Sequence, residues 1–144
     1  MTGHGSEIRL FRFTVFVFAL IPILAGSAGI VYGAGFPGFA VEAASADLDS
    51  HFRFLSGVFL MVGIGFWSCA LGLGDAVGRF RFLSLMVFTG GLARLVSLVV
   101  QGMPSTGHLS GLAMELIAVP VLVLWHVRLT RRATAAPLSD RRAA

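Results

Sequence analysis

Asp49, His51, Arg53, Arg94, Gln101 and Glu115 are polar residues set inside, or just beside, long apolar runs. A charge at the centre of a membrane helix costs on the order of 2.5 to 3.5 kcal/mol on insertion scales, so each needs a partner or a ligand. Arg94 and Glu115 could form an ion pair. A carboxylate such as Glu115 could accept a proton, and the guanidinium groups of Arg94 and Arg53 could hold an anion. Asp49, His51, His108 and Glu115 also carry metal-ligating atoms. No two histidines have the one-helix spacing of a zinc motif, so interfacial histidines are the reading and no metal or other cofactor is expected. Ser56 and Ser84 have no evident base beside them and read as helix-packing hydroxyls. The segment "GAGFPG" lacks the strand-to-helix context of a phosphate loop. Cys69, the single cysteine, excludes an intramolecular disulfide and reads as a small buried hydrophobe.

The elements that must position these groups follow from composition. The chain of 144 residues is 56% hydrophobic and 12% charged, with a mean hydropathy of +0.87, which marks a membrane protein. Apolar runs long enough to cross a core about 30 Å thick cover residues 10–32, 52–73, 80–101 and 109–129. Pro22 and Pro120 fall inside the first and fourth, where neighbouring helices can compensate for the missing donor. The fold class is therefore all-α: an integral membrane four-helix antiparallel bundle, forming one domain over residues 1–129. Residues 130–144 form a polar basic tail with the composition of poorly ordered chain. The long connection 33–51 leaves room for a short amphipathic piece at "FAVEAASADL". The first run resembles a secretory signal in its basic start, but its apolar character continues through "IVY", and it reads as a retained helix.

All eleven basic residues are arginine, and most flank the spans, so membrane topology explains the basic charge and no nucleic-acid partner is expected. Arg9, Arg12, Arg79, Arg81 and the arginines from Arg128 onward all fall on one side of a four-span chain, which places both termini in the cytoplasm. Trp67 and Trp125 toward that side, and Tyr32 at the other, agree with this orientation. His126 reads as an interfacial residue beside Trp125 and Arg128.

Arg53 and Arg94 are not explained by topology, and Glu115 is the acid inside a span. At about 1.5 Å per residue, Arg94 lies about 10 Å from the outer end of its span and Glu115 about 9 Å from the outer start of the next. The two charges are level on neighbouring antiparallel helices, which predicts a direct or water-bridged pair. Arg94, Ser97 and Gln101 share a helix face, Gly90 and Gly91 leave room beside it, and Gly111 leaves space over the carboxylate. Gly29 and Gly33, with Ser68 and Gly72, are small residues suited to close helix packing. Asp49 and Arg53, four residues apart, can satisfy each other on one helix. Any positive charge left on Arg53 would favour an anionic ligand.

The segments "DLDSHFRFLSGVFL" (47–60), "GGLARLVSL" (90–98) and "MELIAVPVLVLW" (114–125) together resemble the bacterial four-helix membrane proteins grouped as domain of unknown function 4345. The resemblance covers about residues 8 to 129 and implies a four-span helical fold without an assigned reaction. Asp49, His51, Arg53, Arg94 and Glu115 match the family's polar landmarks, while Ser50 stands where members often carry Asn. The four-helix plan also resembles the DoxX-type membrane proteins as a matter of fold, but no haem site or thiol pair accompanies it. The leading functional reading is a non-catalytic bacterial inner-membrane protein. An outward polar cleft would bind a lipid or a small amphipathic or anionic molecule, or the chain would serve as an accessory subunit of a membrane complex. Its partners would be membrane lipids, with a membrane protein or a second copy as further candidates. The alternative is a membrane enzyme or proton-coupled transporter using Glu115 with Arg94 and Arg53. A carboxylate engaged by arginine is held in its charged form, which places this alternative second.

Overall fold

Capping residues set the helix starts. Ser45 accepts a hydrogen bond from Leu48 N–H at 3.1 Å, and Asp75 accepts one from Gly78 N–H at 3.0 Å, satisfying first-turn donors that have no partner within the helix. In this computed structural model, which describes residues 2–36 and 45–135, α1 spans Thr2–Tyr32 and ends in a 3-10 turn, Gly33–Gly35. α2 follows at Ala46–Ala70 and α3 at Ala76–Gln101. The fourth span is continuous helix in three parts: α4 (Thr106–Ala113), a π segment (Met114–Ala118) and α5 (Val119–Ala135). Each span contains an 18-residue window of mean hydropathy between 1.5 and 2.3, so all four can cross a hydrocarbon core. The protein is an all-helical, multi-pass membrane protein.

The helices outrun the apolar runs that reveal them. α1 begins at Thr2 rather than near residue 10, and α2 at Ala46 rather than 52, because polar first turns lower hydropathy without breaking helix. Asp49 and His51 therefore lie inside α2. At its other end α2 stops at Ala70, short of residue 73, where Gly72 turns the chain at φ +74°. The expected tail begins as helix, since α5 continues to Ala135; residues 136–144 lie outside the described chain. The amphipathic piece expected at "FAVEAASADL" falls mostly outside it too, and its last residues form the first turn of α2.

α1 and α2 pack backbone to backbone. A methyl group at Gly26 would come within 2.6 Å of Leu60 N and 2.7 Å of Ser56 O, and one at Gly63 would come within 2.9 Å of Ile23 N. Gly29 meets the Ser56 side chain, and Gly33 meets Asp49 and Arg53. Glycine at these positions lets the helices approach closely, the route to stability where lipid removes the hydrophobic drive between helices. Ser56 Oγ and Ser84 Oγ donate to Phe52 O (2.8 Å) and Phe80 O (2.7 Å) in their own helices, so the buried hydroxyls are satisfied locally.

The apolar core is concentrated toward one end. Phe11, Val15, Cys69, Phe80, Leu83 and Leu129 belong to it, and Phe11 packs edge-on against Phe80 and Trp125 at centroid distances of 5.5 and 5.2 Å. The same end carries the arginines of the helix termini. Arg12 Nε donates to Ala70 O at 2.6 Å, Arg79 Nη1 to Ser68 Oγ at 2.6 Å, and Arg132 Nη1 to Glu7 Oε2 at 2.8 Å. The last bond joins α1 to α5 and puts both ends of the described chain at one end of the bundle. Val15 and Phe80 of this core also line a space between the helices that reaches toward the opposite end.

Candidate functional site

Pro120 has no N–H to donate to the carbonyl four residues back, and its ring crowds that carbonyl. The helix widens immediately before it: Val119 N–H donates to Met114 O, five residues back, making the π segment that contains Glu115. Glu115 is 8% exposed. Across from it on α3, Arg94 Nε donates to Oε2 at 3.0 Å and Nη2 to Oε1 at 3.1 Å, a two-pronged ion pair between the third and fourth spans. Gly91 makes the approach possible, since a methyl group there would come within 2.8 Å of Glu115 Cβ and of Leu116 Cδ2. Gly90 faces open space, so of the two adjacent glycines Gly91 alone makes room for the pair. A methyl group at Gly111 would lie in ordinary contact, 3.9 Å from Arg94 Cζ.

Glu115 also forms part of the wall of a cavity of about 410 Å³ between all four spans. Val15, Phe66, Ser84, Val87 and Leu122 are among its other lining residues, so its walls are largely apolar. Ile21 of α1 and Gly107 and Ser110 of α4 line it and are exposed, which makes them its rim. The volume falls in the range of about 300–1,000 Å³ typical of small-molecule pockets, which combine apolar walls with a few polar groups.

Arg53 belongs to a different structure. Its Nε donates to Asp49 Oδ2 at 2.8 Å, and its Nη1 donates to Ile30 O and, at 3.1 Å, to Val31 O. Asp49 Oδ1 accepts from Ala34 N–H at 2.9 Å. The pair closes the carbonyl end of α1 and fastens it to the first turns of α2, where helix-end carbonyls attract a cation. Arg53 is thus bonded to its own helix neighbour and to α1, and it lines a separate groove with Ile30, Phe54 and Met86. The surplus positive charge expected from it is taken up there. His51 is exposed on α2 and Gln101 is exposed at the end of α3, so the six polar residues divide into two pairs and two separate side chains. Among the described residues, no group of three His, Cys, Asp or Glu side chains is placed to hold a metal ion.

A family model described as a domain of unknown function (DUF4345) matches residues 10–126. The chain belongs to the DUF4345 family. No curated protein and no solved structure matches it. The matched region contains Asp49, Arg53, Arg94 and Glu115 and the cavity from Val15 to Leu122, whereas Glu7 and Arg132 of this DUF4345 protein lie outside it.

Several features of this DUF4345 chain escape a reading of hydropathy and charge. Glu7 accepts from Trp125 Nε1 at 3.3 Å as well as from Arg132, tying the first helix to the last. It precedes the apolar run, so hydropathy places it outside the membrane helix. The His126 side chain is buried against aromatic rings rather than snorkelling to the surface: its ring lies tilted against Phe80 and Phe11 at centroid distances of 4.7 and 5.5 Å, and its Nδ1 has no hydrogen-bond partner. An i, i+4 count puts it one turn above Thr130, whose hydroxyl donates to the His126 carbonyl at 3.1 Å. The π segment has a signal in Pro120, since a proline inside a continuous helix demands some local adjustment.

Proposed function

We propose that this DUF4345 protein is a non-catalytic protein of the bacterial inner membrane that holds one amphipathic molecule between its spans. The observation that carries the reading is the apolar cavity with Glu115 buried in its wall and Arg94 behind the carboxylate. A lipid chain fills the apolar walls without unpaired polar groups, and its polar end meets the carboxylate at the depth of the π segment. Ala118, one helical turn below Glu115 and in the same wall, provides the test. Native mass spectrometry of protein purified in mild detergent is expected to show one retained amphiphile. Ala118→Phe, which fills the space, should reduce that retention to background while the protein stays folded. Equal retention in the folded variant would contradict the reading.

Both termini are assigned to the cytoplasm, because the arginine-bearing end gathers Arg12, Arg79 and Arg132 while the cavity rim lies at the opposite end. A cysteine at Ser45, in a chain carrying Cys69→Ala, is expected to react with a membrane-impermeant maleimide in intact cells. Reaction only after membrane disruption would reverse the orientation.

A π turn often marks a functional site, and this favours keeping the second reading, an enzyme or proton-coupled transporter using Glu115. That reading needs Arg53 beside Arg94 to hold an anion, and Arg53 is engaged by Asp49 and α1 instead.

A further inference from the structure

Resting on the amphiphile-binding reading, we infer that the cavity selects a molecule whose polar end donates hydrogen bonds, a hydroxyl or an ammonium, over one that carries a carboxylate or phosphate. The side-chain oxygens in the wall are all left as acceptors. Ser84 Oγ gives its hydrogen to Phe80 O at 2.7 Å and Ser110 Oγ gives its own to Gly107 O at 2.8 Å. A hydroxyl that gives its hydrogen to its own helix has only lone pairs left to offer. Both oxygens of Glu115 accept from Arg94, and each retains a further acceptor position, because an ionised carboxylate has about four lone-pair sites and no donor. Arg94 spends two of its donor groups on the carboxylate and does not line the cavity.

An anionic head group brought to the level of Glu115 would meet its charge and its lone pairs, with no N–H donor side chain in the wall to receive it. A head group that offers N–H or O–H completes the acceptors already present, and buried polar groups are stable only when so completed. In the first turn of α4 the N–H groups of His108 and Leu109 donate to Ser105 O at 3.0 and 3.1 Å, and Gly107 lies at the exposed rim. Gly107 is eight residues from Glu115, about 12 Å along the helix, so those donors do not serve a head group at the carboxylate. The preference is consequently set at the level of the π segment.

The test compares matched single-chain probes on the full-length protein in nanodiscs of uncharged lipid: oleyl alcohol, oleylamine, oleyl methyl ether and oleate. The readout is displacement of a fluorescent amphiphile. The alcohol and the amine are expected to bind at least about tenfold tighter than the ether and the carboxylate, a ratio equal to about 1.4 kcal/mol. The ether separates hydrogen-bond donation from size and apolarity, since it has the same chain and an acceptor oxygen alone. The amine against the alcohol separates charge attraction to Glu115 from donation. Ether or oleate binding as tightly as the alcohol would overturn the donor inference and leave the cavity reading standing. No displacement by any probe would overturn both. Ser84 lies ten residues from Arg94 along α3, about 15 Å deeper, so Ser84→Ala should leave the alcohol-to-ether ratio unchanged in a protein that still folds; a narrowed ratio would overturn the placement of the head group at Glu115.

Discussion

Arg94→Ala should destabilise the bundle by about 3–5 kcal/mol, the range for breaking one side of a buried ion pair. Glu115→Ala should cost less, about 2–3 kcal/mol, because the two residual charges are not equally placed. Loss of Arg94 strands a carboxylate on a residue that is 8% exposed, whereas loss of Glu115 leaves a guanidinium side chain that is 34% exposed and long enough to reach the head-group layer. Replacing both residues together as Arg94→Leu with Glu115→Leu should recover most of the loss, since a buried pair exchanged for packed apolar groups is often neutral or better. Reversible unfolding in mixed micelles, followed by helical circular dichroism, provides the measurement. If the double variant were as unstable as the sum of the single ones, the two side chains would not be acting as a pair. A stable double variant that no longer prefers the alcohol over the ether would separate the structural role of the pair from its ligand-facing role.

Gly26→Leu carries the second large effect. The atoms that a side chain would strike are backbone: Leu60 N at 2.6 Å, Ser56 O at 2.7 Å and Leu60 Cα at 2.9 Å from the first carbon alone. Backbone cannot rotate aside as a flexible side chain can, so α1 and α2 must separate along their closest approach. Overpacking in a well-filled interior costs about 1–3 kcal/mol, and this site belongs at or above the upper figure. Separation would also pull Asp49 and Arg53 away from Ala34 N–H and the carbonyls of Ile30 and Val31. Gly90→Ala is the matched control, because nothing lies within 4 Å of the added methyl group and alanine favours helix over glycine. Thermal unfolding should therefore show a large loss for Gly26→Leu and none for Gly90→Ala. Comparable losses at both positions would contradict the close α1–α2 contact.

These two sites differ in how far they can be read from the chain. Arg94 and Glu115 are charges in apolar runs, and helical rise alone puts them level, so the residues that meet are legible in the sequence itself. Gly26 has no such mark. It stands in "LAGSAG", and which of that segment's small residues faces α2 depends on the rotation of α1, a tertiary property that hydropathy does not encode. The same limit explains Arg53. Its spacing from Asp49 is local and readable, whereas its bonds to Ile30 and Val31 require α1 to end beside the start of α2. Glu7 and His126 are hidden for opposite reasons: one is polar and precedes the apolar run, the other is polar at a position where an interfacial role is sufficient. The cavity depends on where four helices fail to touch, which is a property of their packing. Pro120 points toward it, since the π segment that precedes the proline contributes Met114, Glu115 and Ala118 to the wall.

A crystal structure of the protein grown from a lipidic phase would show whether an amphiphile occupies the space beside Glu115. The expected result is elongated density between Val15, Phe66, Val87 and Leu122, with its polar end within hydrogen-bond distance of Glu115. A cavity closed by inward movement of α1 against the fourth span, or one holding water alone beside the carboxylate, would contradict it.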